Sequence, residues 1–269
     1  MAWQITENID EFLAAAGDFL RRDPVQNTVL LTAAESVRRQ GTGTGSARFG
    51  WAADGVFLHT PPFPALLSAM PAETATALAD ALDGPLRGVT GPETAVHAFA
   101  TGWQRRTGLS AYVSKRMRLF RLGTLVPPPR MPPGAARVAV AADRAVLVDW
   151  TGEFYHEVGE STDIGAFVDD RIAYGGYVFW EVDGKPVAMA SATRPESGMV
   201  RVQAVYTPRE NRSHGYAAAA TYAISQLLLD GGTTEVLLFT DLANSTANAL
   251  YPRIGYVPLW DRTTMEFTS

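Results

Sequence analysis

Between Leu125 and Gly134 the chain reads LVPPPRMPPG, five prolines in ten positions. Each proline ring fixes φ and removes a backbone donor, so neither a regular helix nor an interior strand runs through this stretch. The segment predicts two domains, 1–125 and 135–269, joined by a linker at 126–134, each of ordinary domain size. A chain of 269 residues buries roughly three quarters of its unfolded surface, so neither a metal nor a disulfide is needed as a staple. There is no cysteine, which removes disulfides, thiolate metal sites and cysteine nucleophiles together. A net charge of −5 leaves no basic footprint for nucleic acid. No apolar run reaches the roughly 18 residues of a membrane span. The opening MAWQITENID lacks the basic and apolar regions of a signal peptide. The expectation is a cytoplasmic protein, monomer or homodimer, with no membrane, nucleic-acid or metal partner.

The first half mixes periodicities. Helices are predicted over Ile9–Leu20, Pro24–Arg39, Pro71–Leu82 and Pro92–Arg106, and strands over Phe49–Ala53, Val56–His59 and Ala111–Leu122. The second half reads as a strand at Arg137–Val140, helices at Asp143–Tyr155 and Ile164–Tyr174, and a hairpin turning at Asp183-Gly184. A strand Met199–Tyr206, a helix Gly215–Asp230, a strand Val236–Thr240, a helix Ser245–Ile254 and a strand Tyr256–Phe267 complete it. The class is α/β of the α+β type, and no repeat is visible between the halves.

The segment that carries chemistry is MVRVQAVYTPRENRSHGYAAAA, Met199 to Ala220. A β-branched strand enters a loop with Pro208, Arg209, Arg212 and Gly215, which opens directly into an alanine-rich helix. The first turn of a helix presents unpaired N–H groups and the positive end of the dipole, which suits a phosphate or pyrophosphate. Gly215 admits close backbone approach, small Ala217 leaves the helix face clear, and the arginines add charge-assisted bonds.

Arg212-Ser213-His214-Gly215-Tyr216-Ala217 resembles the R/Q-x-x-G-x-G/A loop of the GNAT superfamily of acyl-CoA N-acyltransferases, and Ala204-Val205-Tyr206-Thr207-Pro208 its coenzyme strand. Leu238 to Tyr251 followed by Arg253-Ile254-Gly255-Tyr256 resembles the second signature. The resemblance covers roughly residues 137–267. It implies a mixed, twisted sheet with helices on both faces, splayed between the strands ending at Tyr206 and Thr240, preceded by a degenerate domain of the same kind. It also implies acetyl-CoA as acyl donor, held by Ala204, Val205, Tyr206, Thr207, Arg209, Arg212, Ser213, His214, Gly215, Tyr216, Ala217, Asn244 and Asn248. Tyr251 becomes the general acid toward the departing sulfur, and a small-molecule or peptide amine the acceptor. A non-catalytic acyl-CoA sensor on the same fold is the alternative.

A similar string, Arg38-Arg39-Gln40-Gly41-Thr42-Gly43, leaves a helix rather than entering one, where the dipole repels anions. His214 reads as a solvated or structural loop residue as readily as a ligand contact. Asn244, Asn248 and Tyr251 share a helix face, and capping or core packing accounts for them as well. The coenzyme strand offers Arg201 and Gln203 but no carboxylate. Candidate bases are therefore Asp149, Glu153, Glu157 and Glu160, spaced 4, 4 and 3, with Glu157 and Glu160 leading. Seven acids between Arg144 and Arg171 read either as a solvated face or as a negative field for a cationic amine.

Overall fold

The structure, a computed structural model, describes residues 2–41, 47–159 and 163–269. It divides into two compact units, Met1–Arg118 with Asp241–Ala243 and Trp260–Ser269, and Leu119–Thr240 with Asn244–Leu259. The Pro-rich segment thus lies within the second unit instead of separating the two.

The first unit runs β1 (Gln4–Thr6), α1 (Ile9–Arg21), α2 (Thr28–Gln40), β2 (Arg48–Ala52), β3 (Gly55–His59), β4 (Ala65–Leu67), α3 (Ala72–Ala81), β5 (Gly88–Pro92), α4 (Glu93–Thr107) and β6 (Ser110–Leu122), with Leu119 onward of β6 falling in the second unit. The second runs β7 (Ala135–Val138), α5 (Arg144–Glu157), α6 (Ile164–Ala173), β8 (Tyr177–Val182), β9 (Lys185–Ala192), β10 (Met199–Tyr206), α7 (Tyr216–Asp230), β11 (Glu235–Asp241), α8 (Ser245–Leu250) and β12 (Tyr256–Thr268), with Trp260 onward of β12 and Asp241 falling in the first. The two series have one and the same element order, a repeat that the residues themselves do not display.

Pairing repeats as well. β1 with β2, β2 with β3 and β3 with β4 are antiparallel, then β4 and β5 are parallel across α3. β7 with β8, β8 with β9 and β9 with β10 are antiparallel, then β10 and β11 are parallel across α7. A parallel pair needs a crossover, and a helix is the usual one. In the second unit, Val200, Val202, Val236 and Leu238 bury one sheet face against Ala219, Ala220 and Ile224 of α7. Tyr177, Phe179 and Met189 bury the other against Leu147 of α5 and Val168 of α6. This is the expected mixed sheet with helices on both faces.

The short strands β1, β4 and β5 escape sequence reading. Gly88-Val89-Thr90-Gly91 has turn composition, yet it is a strand paired on both sides, and its glycines stand where neighbouring backbone leaves no room for a Cβ. A Cβ on Gly91 would stand 2.8 Å from the Leu67 carbonyl oxygen. Two predicted helices are also shorter than expected. α2 starts at Thr28 rather than Pro24, and α8 stops at Leu250, followed by a 3-10 turn Tyr251–Ile254, because Pro252 cannot donate to an α-helical ladder.

Candidate active site

The β10–β11 ladder runs from Met199↔Glu235 to Val202↔Leu238. Against β9 the register shifts between Gln203 and Tyr206, which face Ser191 and Met189, so β10 spends one extra residue there. Ala204 lies within this bulge at φ 46, a left-handed conformation unusual for a side-chain-bearing residue. A bulge re-aims the backbone after it, and Val205 and Tyr206 emerge just beyond the last paired residues of the parallel strands.

The loop beyond β10 is set by backbone geometry. Ser213 has φ 67 and Gly215 φ 84, and Gly215 stands at the N-cap of α7 with no side-chain cap bond. Among the described residues beyond its chain neighbours, the nearest atom to a Cβ placed on Gly215 would be Cδ of Pro132, at 4.0 Å. The first-turn N–H groups of Tyr216 and Ala217 therefore open onto a cradle that glycine keeps clear. Arg212 Nε donates to the Thr207 carbonyl at 2.9 Å, fixing the loop's chord. His214 Nδ1 lies 3.2 Å from the Asn211 carbonyl oxygen, and its ring stacks on Tyr216 with centroids 5.5 Å apart. It braces the loop.

Among the described residues the first unit has no counterpart. Its β4–α3 connection is only Ser68-Ala69-Met70-Pro71, without glycine or arginine, and the first turn of α3 carries Glu73. An anion there would meet a carboxylate. Gly41, in the Arg38 string, caps the end of α2 by donating to Val37 at 2.8 Å, while Thr42 and Gly43 lie outside the described residues.

The second signature is held by short-range bonds. Asn244 caps α8 by accepting from Ala247 N–H at 3.0 Å. Asn248 donates to the Asn244 carbonyl at 2.8 Å and accepts from the Thr240 hydroxyl, tying α8 to the end of β11. Tyr251 is 8% exposed, with Phe120 and Tyr256 at ring separations of 6.3 and 5.9 Å. Burial pushes its phenol up to about 12, so it stays protonated throughout the neutral range.

The carboxylates are placed differently from expectation. Glu157 ends α5 and receives Arg212 Nη2 at 2.7 and 2.9 Å, with Arg209 at 3.8 Å. The expected leading base is thus already paired with the loop arginines. Glu160 lies outside the described residues. Glu153 instead faces the bulged strand, accepting from the Tyr206 hydroxyl. Burial, then that bond to Glu153, pushes the Tyr206 phenol up to about 12.

Three further acids of the stripe are already bonded. Asp163 caps α6 through Ala166 N–H at 3.0 Å, Asp169 forks onto Arg144 at 2.6 and 2.9 Å, and Asp170 holds Arg194 at 2.8 Å. Sequence reading missed Arg144 and Arg194 as the partners of Asp169 and Asp170 because each lies on a different element from its acid.

Residues 144–256 match the family model described as the Acetyltransferase (GNAT) family. This segment is a GNAT domain. No curated protein matches the chain by sequence. Among solved structures, a GNAT-family acetyltransferase from Colwellia psychrerythraea superposes with TM-score 0.65 at 10% identity, covering 100% of both chains. A GCN5-related N-acetyltransferase from Kribbella flavida gives TM-score 0.59 at 24% identity, covering 89% of this chain and 96% of its own. A tandem GNAT protein from the clavulanic acid biosynthesis pathway gives 0.60 at 13% identity, covering 99% and 98%. At these identities the likeness is one of fold, and it extends over both units. GNAT folds thus account for the repeated element order, and the second of them carries the coenzyme-type loop. Among the described residues no group of His, Asp or Glu could hold a metal ion, and no helix is long and apolar enough to cross a membrane.

Proposed function

We propose that the chain is an N-acetyltransferase, moving an acetyl group from acetyl-CoA to a primary amine of a small molecule or peptide. The observation that carries this is the course of β10 beyond its last pair with β11. It bulges at Ala204 and then enters α7 through an open Gly215 cradle. The first-turn N–H groups of α7 suit the pyrophosphate, with Arg209 and Arg212 as cationic partners. Arg212 is then shared between phosphate oxygens and Glu157. Ser213, His214, Tyr216 and Ala217 line the same approach, while Asn244 and Asn248 flank the pantetheine.

In this reading a backbone N–H at Val205 or Tyr206 polarises the thioester carbonyl. Glu153, through its bond to Tyr206, removes a proton from the bound ammonium, directly or by way of water. The amine nitrogen forms the new C–N bond as the C–S bond breaks, Tyr251 gives its proton to the leaving sulfur, and the surplus proton on nitrogen returns to the Tyr251 phenolate by way of water. A phenol pushed up to about 12 is still protonated when the thioester binds, so the proton is there to be given. The near-complete burial of Tyr251 favours a second reading, an acyl-CoA sensor without turnover, because the hydroxyl must be reached to act. Amine-dependent release of free thiol from acetyl-CoA separates the two. Release with any primary amine establishes transfer, and tight acetyl-CoA binding without release establishes the sensor.

A further inference from the structure

Ser191 stands inside the sheet of the second unit, paired with Tyr177 of β8 on one side and Gln203 of β10 on the other. It is fully buried, where a hydroxyl without a partner costs stability. Its hydroxyl donates to the Gln203 carbonyl at 3.0 Å. Gln203 is the last residue of β10 in register before the bulge, and the next pair is Tyr206 with Met189. With its amide oxygen turned toward α6, Gln203 also accepts from Arg171 Nε at 3.1 Å. The point where β10 leaves its register is thus held through main chain and side chain alike.

What this hold governs follows from strand alternation. Successive side chains of a strand point to opposite faces, so residues three apart in a regular strand face opposite ways. Gln203 and Tyr206 are three apart, yet both face α5 and α6. Tyr206 packs with Tyr177, Met189 and Leu147 there, and its hydroxyl reaches Glu153 of α5. The extra residue at Ala204 makes this possible, at a left-handed φ of 46 that alanine resists. Relaxing Ala204 to extended backbone favours a one-residue slip, which turns Tyr206 to the opposite face, away from Glu153. The same slip re-aims the N–H groups of Val205 and Tyr206. The Ser191 bond opposes it at its origin.

We propose that Ser191 is a positioning residue for acyl transfer. By holding the Gln203 carbonyl it pins the bulge that aims a backbone N–H at the thioester oxygen and keeps Tyr206 on Glu153. The proposal rests on the N-acetyltransfer reading for the thioester, and it gives Ser191 no contact with the reacting atoms. Thr193 supplies an internal control. Its Oγ1 also bonds the β10 backbone, accepting from Arg201 N–H at 2.9 Å, but two residues upstream of Gln203.

The test is infrared difference spectroscopy on the full chain with acetyl-CoA isotope-labelled at the thioester carbonyl carbon. A hydrogen bond to that carbonyl lowers its stretching frequency without any turnover. The wild-type band should lie below that of free acetyl-CoA. Ser191→Ala should return it at least halfway to the free position, with acetyl-CoA affinity changed less than about threefold. The kcat for thiol release with ethanolamine, benzylamine or L-lysine should fall by about ten- to a hundredfold at little-changed acceptor KM, because a donor is displaced rather than deleted. Ser191→Thr should restore most of both, and Thr193→Val should alter neither. Ser191→Cys keeps the volume with a weak donor, and it takes the place of the alanine variant if that does not fold. A wild-type band at the free position overturns the proposal, as does a band unmoved by loss of the Ser191 hydroxyl. An equal loss in Thr193→Val also overturns it, since the effect is then a general loosening of the sheet. A band that depends on Ser191, with no thiol release from any amine, keeps the positioning role and removes the transfer reading.

Discussion

The Glu157 carboxylate receives Nη2 of Arg212 at 2.7 and 2.9 Å, tying the last residue of α5 to the arginine of the coenzyme-type loop. That bond raises the Arg212 pKa further. It also means that Glu157 is committed to a cation before any substrate arrives.

Glu157→Gln should therefore leave kcat and the acceptor KM near wild type. The pair is largely solvent-facing, and such pairs contribute little, about 0–1 kcal/mol. Acetyl-CoA affinity should rise by up to about threefold, because a competitor for Arg212 has been removed. Glu153→Gln should behave differently, lowering kcat about 100-fold or more if its carboxylate accepts the proton. Steady-state kinetics on the two variants check both, and a Glu157→Gln enzyme with the larger defect reverses the assignment.

Substitution at Gly215 should act on the ligand rather than on packing, since an added Cβ would have Pro132 as its nearest neighbour beyond the adjoining residues, at 4.0 Å. Gly215→Val adds a branched side chain in the cradle and also strains a residue at φ 84. Gly215→Asn tolerates that backbone better yet still projects into the cradle. Both should weaken acetyl-CoA by about tenfold or more, measured by titration. Wild-type affinity in a folded Asn variant would place the pyrophosphate elsewhere.

Tyr251→Phe keeps the ring against Phe120 and Tyr256 and removes only the hydroxyl. Turnover should fall by about 100- to 10,000-fold, the usual range for a general acid, while acetyl-CoA affinity holds. Because burial pushes the phenol up to about 12, the acid stays protonated well above its ordinary value near 10. The pH–rate profile should therefore show no alkaline loss from this group near pH 10.

His59, buried in the first unit, gives a pH-dependent stability. Burial and the neighbouring Arg48 push its imidazole down from 6.5 to about 4. The unfolded chain then binds a proton that the folded one refuses between those values. Stability should be full above pH 6.5 and fall as the pH drops toward 4, by up to about 3 kcal/mol from this group alone. Denaturant melts at pH 7 and pH 4.5 test it, with His59→Gln expected to flatten the difference.

The strand, loop and helix from Met199 to Asp230 were legible in the residues, because β-branched alternation, a glycine before an alanine run and a closing Gly231-Gly232 are local signals. The same locality exposed the Arg38 string as a helix end, and Gly41 does cap α2. Three things were decided only in the folded chain. The repeated order of the two units is one, since hydrophobic strands and helices of many sequences satisfy a single topology. The short strand β5 is another, built from glycines that read as a turn until a neighbouring backbone packs against them. The third is the meaning of the charges. A run of acids says nothing about its partners, and ion pairs such as Arg144–Asp169 and Arg212–Glu157 join residues 25 and 55 positions apart. Coulomb attraction acts through space, so which carboxylate is neutralised and which faces the bulged strand is fixed by tertiary packing alone.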